Sequence, residues 1–407
     1  MKRQNLILMI IGILLCLAQT GCHDFSYQGT VYVGELDHDI PYPVWMSVGG
    51  SAGDIPMKGT GLIGGAADFQ ERPFYVYAFH RGSDAMFGTL ASDDALSCLV
   101  DASLDVPGSR LGRKALLDRN NGYAMWASGA GPVYYPSGDH AGHVYDFFAY
   151  YIDDMELTDN NVHRYDDSAV LDVEIDGSQD LMSAKAALTE EQFADIEDMK
   201  ISSDEKFLAE KRAYSYLAAR KYNIHPIYTF KRHLAKFDFR FVPGLTPGQT
   251  KDVKVEKVEI NSRYKGEFTV ADNLKQSNLG IVFSEERRDL VLTEPDGSPF
   301  VPFMVTTDSD GSIQDMEWWT SSSLLVAPDT EYELTVTLSE TRANGGESYP
   351  TRATLKLDSG VFEAANEYIV TLHVFGYMDV FISAEVGEWK DAYDGIEIPG
   401  QDIRPGQ

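Results

Sequence analysis

The chain has 407 residues, 43% hydrophobic and 12% aromatic, which exceeds one ordinary domain and is rich enough in apolar side chains to form packed cores, so wholesale disorder is set aside. Its 63 acidic and 34 basic side chains give a formal charge of −29, a surface that repels phosphate backbones and anionic headgroups. Nucleic acid is therefore excluded as a partner, and a basic patch cannot be what holds the protein at a membrane.

At the N-terminus, Lys2 and Arg3 precede an apolar run from Leu6 to Leu17 that is too short to span a bilayer, which predicts a secretory signal peptide over residues 1–21. The run ends in Ala18-Gln19-Thr20-Gly21-Cys22, similar to a bacterial lipobox, so Cys22 is the expected lipidation site. Several acyl chains on that residue would anchor the protein stably, which a single chain does not. Cleavage before Cys22 removes two cations, Lys2 and Arg3, and takes the charge from −29 to −31. Cys16 leaves with the signal, and Cys98 sits in the apolar stretch Ala95 to Val100, so its thiol is expected in a core. Without lipidation, a Cys22–Cys98 disulfide stays open.

Short strands are predicted at Thr30 to Leu36 and Val44 to Val48, then a strong one at Phe74 to Phe79. Between them Gly59, Gly61 and Gly64 spell G-x-G-x-x-G, but no apolar strand precedes and Arg72-Pro73 follows, so the stretch reads as a loop and not as a dinucleotide site. Tyr145 to Tyr151 is a second aromatic strand. His140 and His143 just before it lie in a Gly-containing loop with no Glu between them, which argues against a zinc site. Residues 188–221 turn helical: Thr189 caps a first helix with Glu190 and Glu191 in its first turn, and a second stretch from Asp204 runs through Leu217 and Ala218. The cations in its later half, Lys211, Arg212, Arg220 and Lys221, read as a solvated face.

Tyr228 to Phe241 returns to strand character, with Phe230, Leu234, Phe237, Phe239 and Phe241 mostly alternating, placed to stitch two β-domains together. Strands are then predicted at Val253 to Ile260, Gly266 to Val270, Leu279 to Phe283, Leu290 to Leu292, Glu331 to Leu338, Thr351 to Leu357 and Tyr368 to Phe375. Turn signals such as Pro295-Asp296-Gly297 separate many of them, the pattern of a β-sandwich. Asp308-Ser309-Asp310-Gly311 has its Gly at the fourth position and fits a hairpin turn better than a calcium loop. Of the neighbours Trp318 and Trp319, strand geometry exposes at most one. No nucleophile elbow, phosphate loop or spaced carboxylate pair is present, so the sequence predicts no enzyme, no cofactor and no metal.

The pair Asp180-Leu181-Met182-Ser183-Ala184 and His233-Leu234-Ala235-Lys236-Phe237, with the aromatic strand leading to Ala149-Tyr150 and the closing Val380 to Val386 and Trp389, resembles the fimbrillin (Mfa-like) family, the lipoprotein subunits of type V pili. The resemblance implies a mainly β fold of two tandem transthyretin-like β-sandwich domains. Here they would be residues 22–225, with a helical insertion at about 188–221, and 226–407. It further implies a stalk, tip or accessory subunit of outer-membrane fimbriae, exposed at the cell surface. Partners would be other fimbrial subunits, joined by β-strand addition after a trypsin-like protease trims the N-terminal strand, together with host or bacterial surface ligands for an adhesive subunit. Lys58 and Arg72 are the candidate cleavage points, although Pro73 follows the second. The alternative is a glycan-binding surface lipoprotein serving a sugar importer.

Overall fold

The computed structural model describes residues 40–48, 73–81, 97–117, 123–127, 129–153, 155–243, 253–272, 278–305, 318–340, 348–357, 360–376 and 379–388. In the first half the strands are β1 (Tyr42–Pro43), β2 (Met46–Val48), β3 (Phe74–His80), β4 (Cys98–Val100), β5 (Arg113–Leu117), β6 (Tyr123–Trp126), β7 (Tyr134–Tyr135), β8 (Tyr145–Ile152), β9 (Val162–Arg164), β10 (Ser168–Glu174) and β11 (Leu181–Lys185). Three helices follow, α1 (Glu190–Asp198), α2 (Ser203–Lys211) and α3 (Tyr216–Tyr222). Next come β12 (Ile227–Tyr228), β13 (Lys231–Arg232), β14 (Ala235–Pro243), β15 (Val253–Arg263), β16 (Lys265–Asp272), β17 (Gly280–Phe283), β18 (Arg287–Val291) and β19 (Phe303–Val305). The chain continues with β20 (Trp318–Trp319), β21 (Leu324–Val326), β22 (Glu331–Glu340), β23 (Ser348–Lys356), β24 (Asn366–Gly376) and β25 (Asp379–Glu388). The protein is mainly β, built of stacked sheets.

One sheet runs β12-β2-β6-β5-β3-β8-β11-β13, with β4 also on β3. Its central strands explain the unbroken aromatic runs in the sequence. On β3, Tyr75, Tyr77 and Phe79 enter a core shared with other sheets, while Phe74, Val76 and Ala78 enter a second core under the helices. On β8 the same division separates Phe148, Tyr150 and Ile152 from Phe147, Ala149 and Tyr151. A strand buried on both faces has no polar face to alternate with.

The second half forms a sheet β20-β14-β24-β25, with β21 on β14, and a sheet β18-β15-β22-β23, with β19 on β15. A four-stranded sheet, β17-β16-β10-β9, draws strands from both halves, with β10 antiparallel to β16 from Ser168↔Asp272 to Glu174↔Lys265. The core that takes Tyr77 and Tyr150 also takes Phe237, Phe239, Val258 and Val370, so it runs without a break across residues 225 and 226.

Two elements differ from the sequence reading. Residues 228–241 are not one strand: β12 and β13 belong to the large sheet, and β14 starts a new one. The stretch does join two β-layers, by changing sheets at His233-Leu234. The second helical stretch is likewise two helices. Tyr214 takes φ +65°, a left-handed value that a non-Gly residue does not carry inside a helix, and the Ser215 hydroxyl then accepts from the Ala218 N–H to cap α3. Thr189 caps α1 as its sequence predicts, with Gln192 completing a reciprocal capping box.

Candidate strand-exchange slot

The N-terminal strand β2 lies inside the large sheet, not at its edge. It is antiparallel to β6, with Met46↔Ala124 and Ser47↔Tyr123, and parallel to β12, with Ile227↔Ser47 and Tyr228↔Val48. The Ser47 N–H donates to the Pro226 carbonyl at 3.0 Å and the Val44 N–H to the Val133 carbonyl at 2.8 Å. The alternation of a strand then sorts its side chains. Val44, Met46 and Val48 are buried in the core that holds Phe74, Ala124, Tyr228 and Phe230. The Tyr228 hydroxyl donates to Met46 Sδ at 3.3 Å, and the Phe74 ring meets Tyr228 and Phe230 edge-on at 6.1 and 5.7 Å. Trp45 points the other way and is 43% exposed. The Ser47 hydroxyl shares a hydrogen bond with His225 Nε2 at 3.3 Å.

The surroundings of β2 are those of a strand paired on both sides and buried on one face. Two flanking strands supply backbone hydrogen bonds, and a row of apolar sites takes every second side chain. Burying three aliphatic side chains of this size is worth about 1.5–3 kcal/mol each before entropy is counted. The ladders on each side are only two residue pairs long, so the side chains carry much of the hold.

The two sequence motifs meet at a different place, the seam where the chain changes sheets. Strand β11 pairs with β13 through Met182↔Arg232 and Ser183↔Lys231, which puts the carboxylate of Asp180 against the guanidinium of Arg232, both almost fully buried. The His233 N–H donates to the Leu181 carbonyl at 3.0 Å, and its ring Nε2 shares a hydrogen bond with the Ser183 hydroxyl at 2.7 Å. Burial first, and the Lys231 charge second, lower the His233 pKa to about 4. The imidazole packs edge-on against Phe268 of β16 at 5.2 Å, so this one residue touches the large sheet and the bridging sheet. These groups fix a junction.

Of the residues singled out in the sequence, Cys22, Lys58, Arg72, the Gly59–Gly64 loop, the Asp308 turn and Trp389 lie outside the described residues. His140 and His143 are in a tight turn, their rings 5.0 Å apart, and the ring of His80, which the sequence did not suggest, lies tilted against His143 at 4.5 Å. Among the described residues no group of three or more His, Cys, Asp or Glu side chains is placed to hold a metal ion. Cys98 sits on β4, and burial pushes its thiol pKa well up, which makes it a poor nucleophile. Trp318 packs against the core, and Trp319 is 48% exposed beneath the guanidinium of Arg240 at 5.6 Å. Sequence reasoning missed His225 and the flanks β6 and β12. Their role depends on which strands become neighbours in space, and no local pattern carries that.

No protein-family profile and no curated protein matches the chain. Solved structures do match in outline. A protein named for cell adhesion from Bacteroides uniformis is 16% identical with a TM-score of 0.42, and a fimbrial protein from Bacteroides vulgatus is 9% identical with a TM-score of 0.43. The fimbrial anchor protein Mfa2 from Porphyromonas gingivalis is 10% identical with a TM-score of 0.31. Each comparison covers 86% of this chain and 99% of the other. The chain is similar to fimbrial and cell-adhesion proteins.

Proposed function

We propose that the protein is a structural or adhesive subunit of outer-membrane fimbriae, secreted as a lipoprotein through Cys22 and joined to other subunits by strand exchange at the β2 slot. The observation that carries this reading is the interior position of β2. A short strand held between β6 and β12 by two-residue ladders has little backbone pairing to break on leaving. Cleavage after Lys58, or after Arg72, lies beyond Val48 in the chain and would free β1 and β2 together. The vacated slot would expose the sites of Val44, Met46 and Val48 and two unpaired strand edges, surface that a soluble monomer does not keep open. An extended segment of another subunit, aliphatic at every second position and without proline, restores both the backbone pairing and the burial.

Limited digestion with a trypsin-like protease tests this, read by mass spectrometry of the product and electron microscopy of the sample. A product starting near Gly59 that forms filaments supports the proposal. Filaments from uncut protein, or a trimmed protein that neither forms filaments nor takes up a labelled peptide of residues 40–48, would sink it.

A further inference from the structure

We propose that the helical insertion is a latch on the exchangeable strand, setting how fast β2 leaves its slot. The inference rests on the strand-exchange reading above and adds the element that controls it. The insertion reaches the N-terminal strands at two points. At the first, the Tyr216 hydroxyl of α3 donates to the Ile40 carbonyl at 2.8 Å, just ahead of β1, while Arg220 one turn on lies over the Tyr42 ring at 5.9 Å. At the second, the turn that leaves α3 touches β2 itself. Pro226 accepts from the Ser47 N–H, and His225 bonds the Ser47 side chain.

That turn is held from behind. Asn223 ends α3 with φ +56° and donates its N–H to the Ala219 carbonyl, which sets the direction in which residues 224–226 depart. Gln192 of α1, buried, donates from Nε2 to the His225 carbonyl at 2.9 Å. Ion pairs join the helices to one another: Lys206 to Glu197 and Lys221 to Glu205, both at 3.0 Å. The group is also tied to the segment that leads into β8 by the Leu217 N–H on the Ala141 carbonyl and by the bridge between Ser215 and Val144. For β2 to slide out, its bonds to residues 225 and 226 must break while Gln192 still holds that turn in place, so movement of the insertion and departure of β2 are coupled. A shallow groove lined in part by Tyr42, Trp45, Ala219 and His225 lies along this contact, and beneath it Tyr216, Ala218, Ala219 and Ile224 share one core with Val44, Met46 and Val48.

Hydrogen exchange by mass spectrometry on the full chain tests the latch, comparing wild type with Tyr216→Phe, which keeps the ring, and with Gln192→Ala. Loss of one hydrogen bond is expected to speed exchange across residues 40–48 by about 5- to 10-fold in either variant. Residues 235–243, in the distant strand β14, should exchange as in wild type. Unchanged rates at 40–48 in both variants would overturn the proposal, and so would acceleration at 235–243 to the same degree, which marks a loss of global stability. Uptake of a labelled peptide of residues 40–48 by the trimmed wild type separates the two readings. No uptake sinks strand exchange itself, while the exchange rates at 40–48 still decide whether the insertion governs β2.

Discussion

His233 ties the pH dependence of folding to one buried ring. Its pKa falls to about 4 because burial, and then Lys231, disfavour the charged form, whereas an unfolded histidine titrates near 6.5. The folded state therefore keeps the ring neutral where the unfolded chain takes up a proton. The stabilisation is complete above about pH 6.5 and is lost as pH falls from 6.5 toward 4, amounting to about 2 kcal/mol at pH 5. Urea denaturation of wild type and His233→Gln at pH 7.5 and pH 5 measures this. The gap between the two proteins should narrow at the lower pH, and a constant gap would show that the ring does not titrate in this way. The neighbouring pair, Asp180 and Arg232, makes a second case. Removing one partner, as in Asp180→Ala, takes an opposite charge away from the buried Arg232 guanidinium and should cost about 3–5 kcal/mol. The double change Asp180→Leu, Arg232→Met removes both charges and should cost clearly less. The two motifs were legible in the sequence as short strings. Their charge pairing was not, because it arises from the register of β11 on β13, which no single strand encodes.

At the scale of elements, β2 makes an alternation test possible within five residues. Met46→Ala removes a buried side chain and should lower stability by about 2–5 kcal/mol. Trp45→Ala, on the exposed side, should change it by about 0.5 kcal/mol or less. Thermal denaturation of the uncut chain checks both, and equal effects would mean that β2 does not sit in the slot as described. The sequence made β3, β8 and the alternating β22 readable through aromatic and β-branched content, and it made α1 readable through the Thr189 cap. It did not reveal that β3 and β8 are covered on both faces, since a continuous apolar run also suits other settings. The break between α2 and α3 was hidden for a related reason. Apolar spacing continues through Tyr214 to Leu217, and the left-handed backbone at Tyr214 followed by the extended Ser215 separates the helices. Pairing of β10 with β16 joins segments far apart in sequence, so local pattern placed each strand and could not place them together.

For the molecule as a whole, the proposed joining of subunits through the slot would work against their surface charge. Trimming after Lys58 removes three cations and five carboxylates, so the formal charge moves only from −29 to −27 and two trimmed subunits still approach as strongly acidic bodies. The groups that would join them are backbone edges and aliphatic side chains, whose attraction depends little on salt. Repulsion between the surfaces does depend on it, because the Debye length shrinks from about 30 Å at 0.01 M to about 8 Å at 0.15 M ionic strength. Assembly of trimmed subunits is therefore expected to speed up as salt rises, with the repulsion screened and the slot contacts left intact. Light scattering of trimmed protein at 10 mM and 150 mM sodium chloride measures the rates. A faster reaction at low salt would mean that opposite charges, and not the apolar slot, draw the subunits together. Adding excess peptide of residues 40–48 should stop growth equally at both salt concentrations, because it competes for the slot and not for the surface charge.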